Sequence, residues 1–135
     1  MNRWIFVNLP VTDLDRARAF YGGLGFTFNE QFSNDQAAAM IVSESAWVML
    51  VTEPFFESFS DKAIVDTSRH MEVQNAVSAT SREEVDELVE KAIAAGARSA
   101  KPGVDEGGYM YSRGFQDPDG HLWDFVWMDP AATAG

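Results

Sequence analysis

The feature that most constrains this chain is that it runs through one order of elements twice. From Trp4 to Val11 the residues split by parity: Ile5, Val7, Leu9 and Val11 are aliphatic, whereas Trp4, Phe6, Asn8 and Pro10 mix aromatic and polar groups. Successive side chains of a strand point to opposite faces, so one face is predicted to pack on a helix and the other to line a cavity. A helix follows, with Thr12 or Asp13 as its cap; Leu14, Ala17, Phe20, Tyr21 and Leu24 recur at helical spacing, and Gly22, Gly23 and Gly25 end it. Phe26 to Phe32, Ala37 to Val42 and Trp47 to Val51 read as strands, with Ser43 to Ala46 as a turn. Pro54 with Phe55, Phe56 and Phe59 predicts a short helical turn with an apolar side, and Ser60 to Arg69 a polar connector. The pattern then restarts with a strand over Glu72 to Thr80. Ser81 and Glu84 form a capping box before the stripe Val85, Leu88, Val89, Ala92 and Ile93, which Gly96 closes. Ala97 to Lys101 is predicted as a strand, Pro102 to Gly108 as a loop and Tyr109 to Gln116 as a strand, and Asp117-Pro118-Asp119-Gly120 turns the chain into a last strand, His121 to Met128. Copies about seventy residues apart are a duplicated supersecondary unit, since solenoids need three or more short repeats.

Composition narrows the partners. The chain has 135 residues, 46% hydrophobic and 13% aromatic, enough to bury a core without staples. With no cysteine it has no disulfide and no thiolate ligand or nucleophile. Lys plus Arg number 10 against 21 for Asp plus Glu, a formal charge of −11. Such a surface repels nucleic acid and anionic membranes and attracts cations, although solubility alone also accounts for it. The apolar run Trp4-Ile5-Phe6-Val7 stops at Asn8 and Pro10, short of a signal core or a membrane span, so a cytoplasmic protein is expected.

Val11-Thr12-Asp13-Leu14, Phe20-Tyr21, Leu24-Gly25-Phe26 and the run Phe115-Gln116-Asp117-Pro118-Asp119-Gly120-His121-Leu122-Trp123-Asp124 resemble the vicinal oxygen chelate superfamily, which contains glyoxalase I, bleomycin-resistance proteins and extradiol dioxygenases. The resemblance spans nearly the whole chain. It implies an α+β fold of two βαβββ modules, about 1–53 and 70–130 with a connector at 54–69, forming a curved mixed sheet around a shared cavity, commonly in a homodimer. In metal-using members four side chains point into that cavity. Counted from the motifs, those positions fall on Phe6, Met49, Gln74 and Asp124. Phenylalanine offers no donor and a thioether is soft, so a hard divalent cation finds only Asp124, with Gln74 a neutral second. A two-residue shift keeps side chains on the same face and brings in Asn8 and Glu72, or His70.

Asp124 stands between Trp123 and Phe125, where a carboxylate needs partners or holds its proton. If Glu72 also faces inward, each carboxylate raises the other, and the pair is the candidate acid–base set. Tyr109, Tyr111 and Trp47 fall with the cavity-facing positions by parity, and Trp123 and Trp127 with the helix-packed face. Phe6, Asn8, Trp47, Met49, Gln74, Tyr109 and Tyr111 are the candidate ligand-binding residues. Trp47, Phe6 and Met49 replace polar ligands by an apolar surface suited to a flat or cationic molecule. Arg16 and Arg113 are read either as anchors for an acidic substrate or as surface residues, His121 as a turn end and His70 as exposed. Neither histidine comes with a nucleophile elbow, and no glycine-rich phosphate loop is present.

Two readings follow. The first is a small-molecule-binding protein like the bleomycin-resistance branch, with a degenerate metal site and no cofactor, sequestering a cationic or aromatic ligand. The alternative is a metal-dependent enzyme resembling lactoylglutathione lyase, in which Glu72, His70 or Asn8 supplies the missing ligands to a divalent metal. A dimeric scaffold with a vestigial cavity stands as a third, with residues 53–59 as lid or dimer contact.

Overall fold

The computed structural model of the protein describes residues 3–100 and 103–133. The chain divides into two compact units, Met1–Asp66 and Thr67–Gly135.

The first unit contains β1 (Ile5–Val11), α1 (Leu14–Gly23), β2 (Thr27–Asn29), a 3₁₀ turn (Glu30–Phe32), β3 (Ala37–Ser43), β4 (Ala46–Thr52) and α2 (Glu53–Glu57). Its sheet has the order β1-β4-β3-β2, with β1 parallel to β4 and the other pairs antiparallel. Pro10 is tolerated because β1 is an edge strand. Asp13 caps α1, accepting from the Arg16 amide at 3.0 Å. After α1 the chain turns through Gly25 at φ +105°, a region that side chains with a Cβ disfavour. The aliphatic face of β1 is buried only in its second half: Leu9 and Val11 join Ala17, Phe20, Tyr21, Met40, Val48 and Leu50 in the core, Val7 is half-buried and Ile5, at the open end of the edge strand, is exposed. Each large apolar side chain so buried contributes about 1.5–3 kcal/mol.

The second unit repeats the plan with β5 (Gln74–Ser78), α3 (Arg82–Ala94), β6 (Arg98–Ser99), β7 (Asp105–Glu106), β8 (Met110–Gln116), β9 (Leu122–Met128) and α4 (Pro130–Thr133). Its order is β5-β9-β8-β6, with β7 beside β8 and β5 parallel to β9. The first strand of each unit therefore lies parallel to its last, as a duplicated unit requires. Ser81 caps α3 by accepting from the Glu84 amide at 3.0 Å, and Glu84 reaches back to the Thr80 amide at 2.9 Å. Val85, Val89 and Ala92 are fully buried, as are Phe115, Trp123 and Phe125 on the strand side.

The differences from the expected elements have local causes. Phe26 to Phe32 is not one strand, because the Asn29 side chain takes the amides of Gln31 and Phe32 and winds the chain into the 3₁₀ turn. The strand expected from Glu72 begins at Gln74, leaving Glu72 outside it and exposed. Tyr109 lies in the turn before β8. The loop expected from Pro102 contains β7, and the strand expected up to Lys101 is limited to Arg98–Ser99; Lys101 and Pro102 themselves lie outside the described residues. No helix among the described residues is long and apolar enough to cross a membrane.

Candidate functional site

In the first unit, register places Phe6 beside Trp47 and Asn8 beside Met49 on the sheet face away from α1. Trp47 is the hub of an aromatic cluster on that face. Its ring centroid is 5.7 Å from Trp4, 5.8 Å from Phe6 and 5.9 Å from Phe32, the last two edge-on. Trp47 is only 8% exposed, whereas Trp4 and Phe6 are each 50% and Phe32 62% exposed. The indole N–H of Trp47 donates to the Glu44 carbonyl at 3.1 Å, so the ring offers neighbours its π face and not a free donor. On β1 and β4 this face carries no charged side chain: it presents Phe6, Asn8, Pro10, Trp47, Met49 and Val51. We call it the aromatic shelf. Trp4 and Phe32 join the four expected residues there; Trp4 was signalled by its parity with Phe6, Phe32 only by the turn chemistry of Asn29.

In the second unit, Asp124 lies on the face away from α3, in register with Ala76 on β5 and Gly114 on β8. Burial pushes its carboxyl above the ordinary carboxylate range, and a hydrogen bond from Ser112 opposes that shift. The glycine at 114 is what gives the carboxylate room, since a Cβ there would stand 2.8 Å from Asp124 Oδ1. Gln74 shares this face by register but is exposed at the strand start. Glu72, the expected acid–base partner, is exposed, and no side-chain interaction with Glu72 contributes to the shift at Asp124.

Tyr111 departs from its parity expectation. It pairs with Trp127 across the β8–β9 hairpin and points to α3, where its hydroxyl donates to Asp86 at 2.5 Å. Arg113 joins the same side, bonding Asp86 at 2.9 Å and Glu90 at 2.8 Å, so it fastens α3 to the sheet and is not an open anchor. Arg82 completes this layer with Asp105 at 2.7 Å, its guanidinium 5.1 Å from the Tyr111 ring and 5.4 Å from that of Trp127. Trp123 is buried on the helix side, as its parity predicts. Tyr109 is half-exposed and His70 is exposed, while His121 is buried at the end of its turn.

The donor chemistry does not fit a hard divalent cation. At the positions the resemblance assigns to metal ligands, the first unit supplies Phe6 and Met49, and the second adds only the Asp124 carboxylate and the Gln74 amide. Among the described residues, no group of three or more His, Asp or Glu side chains is placed to hold a metal ion.

Comparison with known proteins gives a consistent fold. The sequence profile of the Glyoxalase/Bleomycin resistance protein/Dioxygenase superfamily matches residues 4–125. No curated protein is significantly similar in sequence. A hypothetical protein from S. aureus superimposes with a TM-score of 0.79 at 28% identity, covering 94% of this chain and 95% of that one. A family enzyme from Burkholderia phytofirmans gives 0.77 at 20% identity, over 94% and 99%. The fosfomycin resistance protein of Listeria monocytogenes, complexed with Mn(II) and sulfate, gives 0.69 at 19% identity, over 96% and 93%.

Proposed function

The chain belongs to the Glyoxalase/Bleomycin resistance protein/Dioxygenase superfamily, and from that premise we propose that it binds a small planar organic cation on the aromatic shelf, without a catalytic metal. The observation that carries the reading is the four-ring cluster of Trp4, Phe6, Trp47 and Phe32, three of whose rings stand at least half exposed beside a nearly buried hub. The faces of aromatic rings attract cations, and no positive side chain on the strand face competes with them. Asn8, exposed beside Met49, supplies an amide that accepts a hydrogen bond from the ligand's polar edge. The charge of −11 favours approach of a cation. In this reading the protein acts by sequestration.

Intrinsic fluorescence titrated with planar cations such as N-methylquinolinium tests it. Saturable quenching that Trp4→Leu weakens supports the shelf, and no response by fluorescence or calorimetry overturns it. The alternative, a metal-dependent lyase, requires hard donors that Phe6 and Met49 lack. A substantial thermal stabilisation by nickel, zinc or manganese would restore it.

The same reading includes a homodimer. It is supported by β1, an edge strand on which Ile5 and Phe6 are at least half exposed. Light scattering coupled to size exclusion decides it: a monomer at micromolar concentration removes the dimer and leaves the shelf standing.

A further inference from the structure

Phe32 reaches Trp47 by crossing β3, and the sequence makes room for it there. On that face β3 carries Ala37, Ala39 and Ile41; Ile41 lies in register with Trp47, while Ala39, in register between Asn29 and Met49, and Ala37 are small and buried. Larger side chains at these positions would hold the 3₁₀ turn off the sheet. The turn is fastened at its ends: Asn29 Oδ1 accepts from the Gln31 and Phe32 amides, and Ser33 Oγ donates to the Asn29 carbonyl at 2.6 Å while accepting from the Ala39 amide at 3.0 Å. One further tie goes to α1. Arg18 Nη2 bonds both carboxylate oxygens of Glu30, at 2.8 and 2.6 Å, and its guanidinium stacks 4.8 Å from the Phe28 ring. Phe28 pairs with Met40 on the helix side of the sheet, so Glu30 is drawn toward α1 while Phe32, two residues on, lies toward the shelf.

We propose that Phe32 is the specificity-determining wall of the aromatic shelf, and that Arg18 and Glu30 are positioning residues that act through it. The proposal rests on the shelf reading above. Phe32, 62% exposed and edge-on to Trp47, bounds the shelf on its β3 side, so in this proposal it favours flat cations over bulky ones. The Arg18–Glu30 pair is partly exposed, with side-chain exposures of 29% and 68%, so salt screens it and the wall's position responds to ionic strength.

The test uses the full chain labelled with 5-fluorotryptophan, the Trp47 fluorine signal being assigned through Trp47→Phe. N-methylquinolinium serves as the flat cation and tetraphenylphosphonium as the bulky one. Phe32→Ala is expected to move the Trp47 signal of the free protein and to cut the preference for the flat cation by about tenfold, the scale of one lost aromatic contact. Glu30→Gln should move the signal part of the way and cut the preference about two- to fivefold, as expected for an exposed pair. Raised salt should reproduce that shift in the wild type but not in Glu30→Gln, and the swapped pair Arg18→Glu with Glu30→Arg should restore both readouts. A purely structural pair would show neither the salt response nor the change in preference. An unchanged preference in Phe32→Ala overturns the wall, and an unmoved free-protein signal in Glu30→Gln overturns the positioning. Failure of both cations to bind the wild type overturns the shelf and the wall with it, while the free-protein signal still decides the positioning.

Discussion

Gly114 on β8 stands in register with Asp124 on β9, and a methyl group at Gly114 would lie 2.8 Å from Asp124 Oδ1 and 2.7 Å from the Trp123 carbonyl oxygen. Gly114→Ala must therefore displace the carboxylate and strain the hairpin. We expect a loss of about 1–3 kcal/mol, typical of overpacking a filled site. Asp124→Ala in the same protein should recover only part of it, because the Trp123 carbonyl belongs to the backbone. A double-mutant cycle by urea unfolding measures both terms; full recovery would mean that the backbone contact is harmless.

The raised carboxyl of Asp124 fixes a sign for stability against pH. Burial favours its protonated form, so between the unfolded carboxylate value and the higher folded one the native state holds more protons, and stability falls as pH rises through that window. Asp124→Asn stays neutral and keeps an acceptor for Ser112. The variant is expected to gain on the wild type as pH rises from the acidic side of that window to neutrality. Thermal unfolding across the range checks this, and parallel curves for the two proteins would contradict it.

Asp86 carries the opposite sign. The Tyr111 hydroxyl, and after it Arg113, hold its carboxyl below the ordinary range, so the stability it contributes is present above the unfolded carboxylate value and lost as pH falls through the folded one. Tyr111→Phe removes the hydroxyl and leaves the ring in place. We expect a cost of about 0.5–1 kcal/mol at neutral pH, small because the network is exposed. The cost should shrink on acidification, as measured by denaturant unfolding at neutral and acidic pH.

The duplicated plan was legible because each copy announces itself through chemistry that acts locally. Asp13 and Ser81 cap their helices, Gly25 and Gly96 close them at positive φ, and aliphatic parity marks the buried face in the second half of β1, at Leu9 and Val11. Parity along the strand alone predicts Tyr111 on the cavity-facing side, whereas the structure turns it to α3. The hairpin register decides it, and that register follows from the Asp117–Gly120 turn, where the Asp117 amide bonds the His121 carbonyl at 2.9 Å and so places Tyr111 opposite Trp127. Phe6, Trp47, Asn8 and Met49 were found from sequence because period two brings them to one face. Phe32 is hidden at the end of the stretch Phe26 to Phe32, whose spaced phenylalanines read as a strand but where a single asparagine diverts the backbone. Glu72 has no place beside Asp124 because the parallel register sets Ala76 opposite that carboxylate, four residues along from Glu72, and β5 begins only at Gln74.

Asn29 is therefore the residue on which the shelf's outer wall turns. Its side chain accepts from the amides of Gln31 and Phe32 at 2.9 and 3.3 Å, and its carbonyl accepts from Ser33 Oγ. Asn29→Ala removes the side-chain acceptor and leaves the carbonyl bond, so the turn loses its cap without losing its closure. The expected cost is about 1 kcal/mol, the usual value of an N-cap. Asn29→Asp keeps an acceptor at the same place and should stay near the wild type. Because the turn covers Ala39 and sets Phe32 edge-on to Trp47, the alanine variant should also open Trp47, now 8% exposed, to solvent. Acrylamide quenching of a variant that retains Trp47 as its only tryptophan reads this directly. Quenching should rise in Asn29→Ala and not in Asn29→Asp, and equal quenching in all three proteins would show that Phe32 is held over Trp47 by its own packing.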